Sequence, residues 1–147
     1  MKRIIVIGSG GSGKSTFAKK LHEKLSIELI HLDKLFWQPD WVEHEKSSWE
    51  NVVRAAADKD FWIIDGNYDN TMQIRIDRAD TVIYFDIPRT VCLLNALKRS
   101  LAGMFFNERR SDMAEGCRER IDFEFYMWIW NFNRTHRKKY IQMLERA

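Results

Sequence analysis

An apolar run near the start of the chain, Ile4–Ile7, breaks into a glycine- and serine-rich stretch that ends in a lysine. Residues Gly8–Ser15 match the pattern G-x-x-x-x-G-K-[ST] in full. A strand-like run precedes the match and an amphipathic helical pattern follows it, which is the context that this motif requires. Glycine leaves no Cβ in the way of a bound anion, so backbone N–H groups can converge on it. The stretch therefore predicts a phosphate-binding loop.

The individual loop residues carry separate expectations. Lys14 is predicted to reach the β- and γ-phosphates of ATP, and the Ser15 hydroxyl is predicted to ligate Mg²⁺. The helix that starts near Gly13 adds its positive dipole end at the same point. The predicted nucleotide-binding residues are Gly8, Ser9, Gly10, Gly11, Ser12, Gly13, Lys14, Ser15 and Thr16. ATP and Mg²⁺ are therefore the predicted cofactors.

Short β-branched runs alternate with longer helical patterns along the chain, which favours an α/β domain with a parallel sheet. The predicted strands are Arg3–Ile7, Ile27–Leu32, Phe61–Ile64 and Thr81–Phe85. After Pro88, apolar residues recur at helical spacing at Val91, Leu94, Leu97 and Leu101. A second stripe, Phe125, Trp128, Ile129 and Phe132, has the spacing of a helix packed into a core. With 147 residues, we expect one domain over 1–147.

The composition indicates which compartment and which partners to expect. Cys92 and Cys117 are far apart and lack CxxC spacing, which suits a reduced cytoplasmic protein better than a disulfide or zinc framework. No apolar run approaches the ~18 residues of a membrane span, so we expect no membrane partner. The net charge of +3 permits anionic ligands without arguing for nucleic acid. The oligomeric state stays open between monomer and homodimer.

Other classes of phosphate-loop protein fit the chain poorly. A GTPase would need an N-K-x-D and a D-x-x-G motif, and neither occurs. A helicase or an AAA-type motor would need a longer chain with arginine-finger and sensor modules. A compact phosphotransferase remains as the natural candidate.

Several separate motifs resemble one group of proteins. FWIIDGNY (61–68) and ADTVIYFDIP (79–88) look like the third and fourth strand segments of nucleoside monophosphate kinases. Together with HLDKLFW, the EGC at 115–117 and the block 121–132, they make nearly the whole chain resemble a bacterial group of adenylate-kinase-like proteins. That group is often labelled DNA topology modulation proteins. The resemblance implies ATP binding and the nucleoside monophosphate kinase type of P-loop NTPase fold. In it, a parallel sheet of four or five strands, in the order 2-3-1-4, has helices on both faces.

The chain departs from that family at two places. In nucleoside monophosphate kinases an arginine after the DGFP motif grips the acceptor phosphate, whereas Asn67, Tyr68 and Asp69 follow here. Arg75 or Arg78 would have to take over that role if the acceptor carries a phosphate. No fifth strand follows the fourth, so we expect either an open sheet edge or a shortened chain.

Two carboxylates are predicted at the ligand-binding edge. Asp33 ends the second predicted strand and Asp65 ends the third, and the carboxyl ends of parallel strands meet where ligands bind. Asp65 is expected to hold Mg²⁺ through water, together with Ser15; the alternative is a turn or helix cap. Asp33 is expected to orient or deprotonate an acceptor hydroxyl or to share the Mg²⁺ shell, and the alternative is an ion pair with Lys34.

Two segments, Lys34–Ser48 and Gly103–Gly116, fit no regular element, and a helix is predicted after the first of them, from Trp49 to Ala57. The segment 34–60 is a possible acceptor-binding flap, in which Phe36, Trp37, Trp41 and Trp49 either stack on a flat acceptor or form the flap's own core. The segment 103–120 is a possible lid. The arginines in and near it, Arg99, Arg109, Arg110, Arg118 and Arg120, are candidates to meet the transferring phosphoryl group. A solvated basic face or a nucleic-acid patch is the alternative.

These observations predict a Mg²⁺–ATP-dependent kinase whose catalytic residues are Lys14, Asp33, Asp65, Arg99, Arg109, Arg110 and Arg118. The expected acceptor is a small molecule, with a nucleotide or nucleoside first. The alternative is an ATP-dependent regulatory module that acts on DNA or on a partner protein.

Overall fold

Four strands form one parallel sheet in the computed structural model, which describes all of residues 1–147. They are β1 (Arg3–Gly8), β2 (Leu29–His31), β5 (Trp62–Asp65) and β6 (Thr81–Phe85), and they lie side by side in the order β2-β5-β1-β6. Counted along the sheet's own strands, this is the predicted order 2-3-1-4. The α/β class, with a parallel sheet flanked by helices, is confirmed.

The central strands are nearly continuous apolar runs because both of their faces are covered. Ile4–Ile7 of β1 and Trp62–Ile64 of β5 are almost inaccessible to solvent. Each such side chain contributes about 1.5–3 kcal/mol when it is fully buried. The indole of Trp62 keeps its polar atom satisfied by donating to the carbonyl oxygen of Ala57 over 3.0 Å. Strand β6, at one edge, is half-buried along its whole length.

Seven α-helices accompany the strands. They are α1 (Lys14–Leu25), α2 (Leu32–Phe36), α3 (Lys46–Ala57), α4 (Asp69–Ile76), α5 (Arg89–Phe106), α6 (Phe123–Phe132) and α7 (Lys138–Glu145). A π-helical turn, Asn133–Arg137, lies between α6 and α7. None of the helices is both long enough and apolar enough to cross a bilayer.

A small antiparallel hairpin lies inside the predicted flap, and the sequence patterns did not indicate it. Its strands are β3 (Trp37–Gln38) and β4 (Val42–Glu43), joined by a tight turn over Pro39–Trp41. Asp40 and Trp41 both have φ near +60°, a backbone conformation that non-glycine residues adopt rarely. Two-residue strands are too short to produce a periodic pattern, so the prediction treated the segment as irregular.

The chain divides into two compact units. The first comprises Met1–Ile7, Lys14–Tyr84 and Ser111–Cys117, and the second comprises Gly8–Gly13, Phe85–Arg110 and Arg118–Ala147. The prediction of a single domain stays a prediction.

In the second unit, helix α5 forms where the apolar spacing predicted a helix, but the spacing indicates the wrong face. Val91, Leu94, Leu97 and Leu101 are exposed, whereas the small residues Cys92, Ala96 and Ser100 are buried. The buried face is small because backbone approaches it closely: the carbonyl oxygen of Cys92 occupies the space that a Cβ on Gly11 would need. The pattern follows the large apolar residues, and in α5 these do not lie on the buried face.

Helix α6, in the same unit, packs through its aromatic stripe, as the spacing predicted. Ile129 and Phe132 are fully buried, and Ile129 forms a cluster with Cys92 and Ala96 of α5. Phe125 and Trp128 are half-buried and lie parallel, with ring centroids 5.9 Å apart. The stripe that was predicted to pack into a core does so.

Candidate functional site

The loop Gly8–Gly13, part of the second unit, is shaped by close contacts on several sides. A Cβ on Gly8 would lie 2.7 Å from Cβ of Phe85, and a Cβ on Gly10 would lie 2.7 Å from Cζ of Phe125. Gly13 has open space around it but a φ of +87°, so its conformation and not its surroundings requires glycine. The loop is therefore held in a single shape by its neighbours.

Polar groups of this loop are available to a ligand. The side-chain hydroxyls of Ser9 and Ser12 are buried and have no hydrogen-bond partner in the protein. Buried polar atoms are normally paired, so two orphaned hydroxyls in one short loop indicate that a ligand satisfies them. The side-chain amide of Asn95, on α5, donates to the carbonyl oxygen of Gly11 over 3.0 Å and fixes the orientation of that peptide.

In the first unit, the residues that continue the motif meet the acid at the end of β5. The Ser15 hydroxyl donates to Oδ2 of Asp65 over 2.6 Å. His31, which ends β2 and pairs in register with Asp65, places its Nδ1 2.8 Å from the same oxygen. Asp65 is the last residue of its strand and does not cap a helix. Two neighbouring strand ends and the first turn of α1 therefore converge on one carboxylate.

The electrostatics of this cluster keep Asp65 ionised. Burial alone would raise the pKa of the carboxyl, but the hydrogen bond with His31, the charge of Lys14 and the Ser15 hydroxyl together hold the pKa below its ordinary value of 3.8. The second oxygen, Oδ1, is buried and has no hydrogen-bond partner. An ionised oxygen without a donor, next to a hydroxyl, fits the hard oxygen ligands that Mg²⁺ prefers. Ser15 and Asp65 are therefore the residues that would hold this metal.

Asp33 lies one element further along than predicted. Strand β2 ends at His31, and Asp33 occupies the first turn of the short helix α2. Its Oδ1 accepts a hydrogen bond of 2.6 Å from the hydroxyl of Tyr68. Burial, and then the charge of Asp33, raise the pKa of the Tyr68 phenol far above its ordinary value, so this hydroxyl stays protonated and remains a donor.

Arg75 and Arg78, the two candidates to grip an acceptor phosphate, both donate to protein oxygens in this unit. Arg75 is fully buried, and its guanidinium donates to the backbone carbonyl oxygens of Gly66, Asn67 and Tyr68. Arg78 donates from Nε to a carboxylate oxygen of Asp58 over 2.5 Å. The strand-to-helix turn after Asp65 has its carbonyls directed inward, and a buried guanidinium supplies several donors in a fixed plane.

The aromatic residues of the flap form one ring cluster with Tyr68, which follows β5; the cluster is defined here as Phe36, Trp37, Trp41, Trp49 and Tyr68. Phe36 lies at its centre, with ring centroids 5.1 Å from Trp37, 5.0 Å from Trp49 and 4.8 Å from Tyr68. Trp49 is buried and acts as core, whereas Trp37 and Trp41 are half-buried at the edge of the cluster. Trp49 therefore fits the interpretation as flap core, while stacking of Trp37 and Trp41 on an acceptor stays a prediction.

The arginines of the predicted lid belong to the second unit and fall into three groups. Arg99 and Arg110 both approach Oε1 of Glu119, at 3.9 and 3.2 Å. Arg109 and Arg118 are exposed. Arg120 lies 3.5 Å from a carboxylate oxygen of Asp122.

The predicted lid 103–120 is not one structural element. Helix α5 continues to Phe106 and ends at Asn107, which has a left-handed backbone. Residues 111–117 belong to the first unit, where Gly116 accepts a hydrogen bond from the backbone N–H of Asp40, and the Cys117 thiol donates to the carbonyl oxygen of Gln38. The middle of the segment is therefore attached to the β3–β4 hairpin.

Residues 4–120 match a protein family described as AAA domain (AAA_33). The chain belongs to this family. Membership of the AAA domain family assigns a P-loop NTPase-like domain of the kinase type, with a nucleotide-binding function. No curated protein matches the chain.

Sequence reasoning missed two residues of this AAA domain's site, His31 and Tyr68. Both stand in motifs that had been singled out for other members: His31 is two residues before Asp33, and Tyr68 is three after Asp65. A polar residue in the last position of a buried strand was the available signal for His31. Nothing local signals Tyr68, because its partner is 35 residues away.

Proposed function

We propose that the chain transfers the γ-phosphoryl group of Mg²⁺–ATP to a hydroxyl of a small acceptor of the nucleotide or nucleoside class. The arrangement that supports this is the convergence of Ser15, His31 and Asp65, directly after Lys14 in the chain, with Asp33 two residues beyond the end of the neighbouring strand. A nucleotide-binding motif, an ionised acid and a second carboxylate are the parts that phosphoryl transfer requires.

Each nucleotide-side residue has a separate task in this proposal. Lys14 neutralises charge on the β- and γ-phosphates, while the buried hydroxyls of Ser9 and Ser12 donate to phosphate oxygens. Ser15 and Asp65 hold Mg²⁺, which supplies positive charge to the transferring group when it is bound. His31 contacts Asp65, so its task is to keep the carboxylate oriented.

The acceptor side depends on Asp33. The acceptor's hydroxyl oxygen attacks the γ-phosphorus, the bond from that phosphorus to the β–γ bridging oxygen breaks, and ADP leaves. The hydroxyl proton passes to the Asp33 carboxylate. The Tyr68 hydroxyl occupies Oδ1 of Asp33, which leaves Oδ2 as the oxygen that receives the proton.

The predicted lid arginines enter the proposal in a revised form. Arg109 and Arg118 are the candidates to meet the γ-phosphoryl group as it transfers, because they are exposed. Arg99 and Arg110 approach Glu119 instead, so their first task is to order the segment that carries the other two.

Replacement of Lys14 tests the proposal. Lys14→Ala removes the cation of the motif, and we expect a normal melting temperature with ATP affinity and ADP formation lowered by about a hundredfold or more. The control is Lys20→Ala, which removes an exposed lysine from the same helix. Unchanged ATP affinity by calorimetry together with unchanged ADP formation would refute the nucleotide assignment. ADP formation that depends on DNA and on no small acceptor would favour the regulatory alternative.

A further inference from the structure

The surroundings of Asp33 restrict what kind of acceptor can bind there. Asp33 is half-buried and faces the Tyr68 hydroxyl, whose ring centroid lies 4.8 Å from that of Phe36. The carboxylate is therefore attached to the ring cluster through one of that cluster's own members. An acceptor hydroxyl that reaches Asp33 has aromatic faces beside it, and flat rings stack well on such faces.

The arginines of this unit, which could hold a phosphate on the acceptor, all donate to protein oxygens. Its arginines are Arg3, Arg54, Arg75 and Arg78. Each of them donates to a protein oxygen: Arg3 to the carbonyl of Arg78, Arg54 to Glu50, Arg78 to Asp58 and Arg75 to the turn after Asp65. Arg75, which stands nearest in the chain to the position of the family's acceptor arginine, is fully buried. A phosphate monoester carries about two negative charges, and it needs such fixed donors.

The negative charge of Asp33 opposes a second anion as well. A phosphate held close to an ionised carboxylate would be repelled, and the desolvated surroundings of the ring cluster would strengthen that repulsion. Lys34 is the one cation adjacent to Asp33 in the sequence, and it is exposed on α2. A neutral acceptor meets none of these costs.

We infer that the acceptor is an uncharged, hydroxyl-bearing molecule with a flat ring, a nucleoside or a compound of nucleoside-like chemistry, and not a nucleoside monophosphate. This inference rests on the proposed kinase function and narrows its acceptor. The hydroxyl oxygen forms the new bond to the γ-phosphorus, its proton passes to Asp33, and the products are ADP and a phosphate monoester. Tyr68 acts as a positioning residue, because its hydroxyl orients Asp33 and does not itself contact the reacting atoms.

The test compares matched acceptors. ADP formation from Mg²⁺–ATP is measured with adenosine, guanosine, cytidine, uridine and thymidine and with the 5′-monophosphate of each. We expect kcat/KM for at least one nucleoside to exceed that of its monophosphate by about a hundredfold or more. A monophosphate that is the better substrate would overturn this inference and leave the kinase proposal standing. In that case Lys34→Ala should abolish the preference. ADP formation that no acceptor stimulates would refute the kinase proposal itself.

Variants locate the effect. Asp33→Asn should lower kcat for the preferred nucleoside by about a hundredfold or more, while Asp60→Asn, which removes an exposed carboxylate of the same unit, should change nothing. Tyr68→Phe keeps the ring and removes the hydroxyl, so we expect kcat to fall about tenfold with KM nearly unchanged. Trp37→Ala removes a half-buried ring, so we expect the reverse, a raised KM with kcat nearly unchanged. If Tyr68→Phe lowers the melting temperature as well as kcat, the residue has a structural role and the positioning role is contradicted.

Discussion

The Ser15 hydroxyl and Oδ2 of Asp65 lie 2.6 Å apart, although 50 residues separate them in the chain. This single hydrogen bond joins the first turn of α1 to the end of a central strand. It leaves Oδ1 of Asp65 as a buried, ionised oxygen without a donor. Because Oδ2 is hydrogen-bonded and Oδ1 is not, the first prediction concerns the metal that Oδ1 would bind.

Asp65→Asn should separate metal-dependent from metal-independent behaviour. The amide retains the shape of the carboxylate but loses its charge, so we expect Mg²⁺-dependent ADP formation to fall about a hundredfold or more. Nucleotide affinity measured in the presence of a chelator should change little. If the loss of affinity is the same with and without Mg²⁺, the role of Asp65 is structural. The matched comparison is His31→Gln, which replaces the hydrogen-bond partner of Asp65 but leaves the Asp65 carboxylate in place.

The lid arginines should divide into two functional groups. Arg109→Ala and Arg118→Ala remove exposed side chains, so we expect an unchanged melting temperature and, for at least one of them, a kcat lowered tenfold or more. Arg110→Ala breaks the 3.2 Å pair with Glu119 and should lower the melting temperature as well. Protection of the segment from trypsin by ATP with the acceptor would support closure. Unchanged turnover in all three variants would remove these arginines from the mechanism.

Arg75 should be a stability residue. Its removal takes this donor from the carbonyl oxygens of Gly66 and Asn67, while the carbonyl oxygen of Tyr68 still accepts from the backbone N–H of Thr71. We expect Arg75→Ala to lower the free energy of unfolding by about 3 kcal/mol or more, because each unsatisfied buried group costs ~1–3 kcal/mol. Arg78→Ala is the control, since its partly exposed pair with Asp58 is worth only ~0–1 kcal/mol. Urea denaturation of both variants measures the difference, and equal values would contradict the assignment.

Helix α5 should tolerate change on its outer face and not on its inner one. Leu94→Ser alters an exposed side chain and should leave the free energy of unfolding within about 0.5 kcal/mol of the parent. Ala96→Leu inserts volume where the helix backbone approaches Gly11, and we expect it to cost ~1–3 kcal/mol. If Leu94→Ser lowers the melting temperature more than Ala96→Leu does, the helix packs on the rest of the second unit through its other face.

The parts of the fold that were predictable are those encoded by local pattern. Buried parallel strands are continuous apolar runs, so β1 and β5 could be located within one residue or so, and their carboxyl ends located Asp65. The phosphate-loop motif defined the order of loop and helix without any knowledge of the rest.

The parts that were not predictable depend on partners distant in sequence. The inner face of α5 is chosen by a backbone contact with Gly11, and periodicity of apolar size carries no information about such a contact. Arg75 was considered as a substitute for the family's acceptor arginine, and only the turn after Asp65, distant from any local pattern, explains its burial. The β3–β4 hairpin is stabilised by its link to Gly116, far along the chain.

The loop glycines have a consequence for how such motifs are used as markers. The pattern itself demands Gly8 and Gly13, whereas Gly10 and Gly11 occupy positions that it leaves unspecified. Glycine is nevertheless required at position 11, because the Cys92 carbonyl oxygen fills the space beside it and its φ is +73°, whereas the space beside Gly10 is filled by the tip of the Phe125 ring. A descendant of this chain that had lost nucleotide binding would still need glycine at position 11 to keep this packing. Retention of Gly11 therefore reports the packing of α5, whereas Lys14, Ser15 and Asp65 report the proposed nucleotide and metal site.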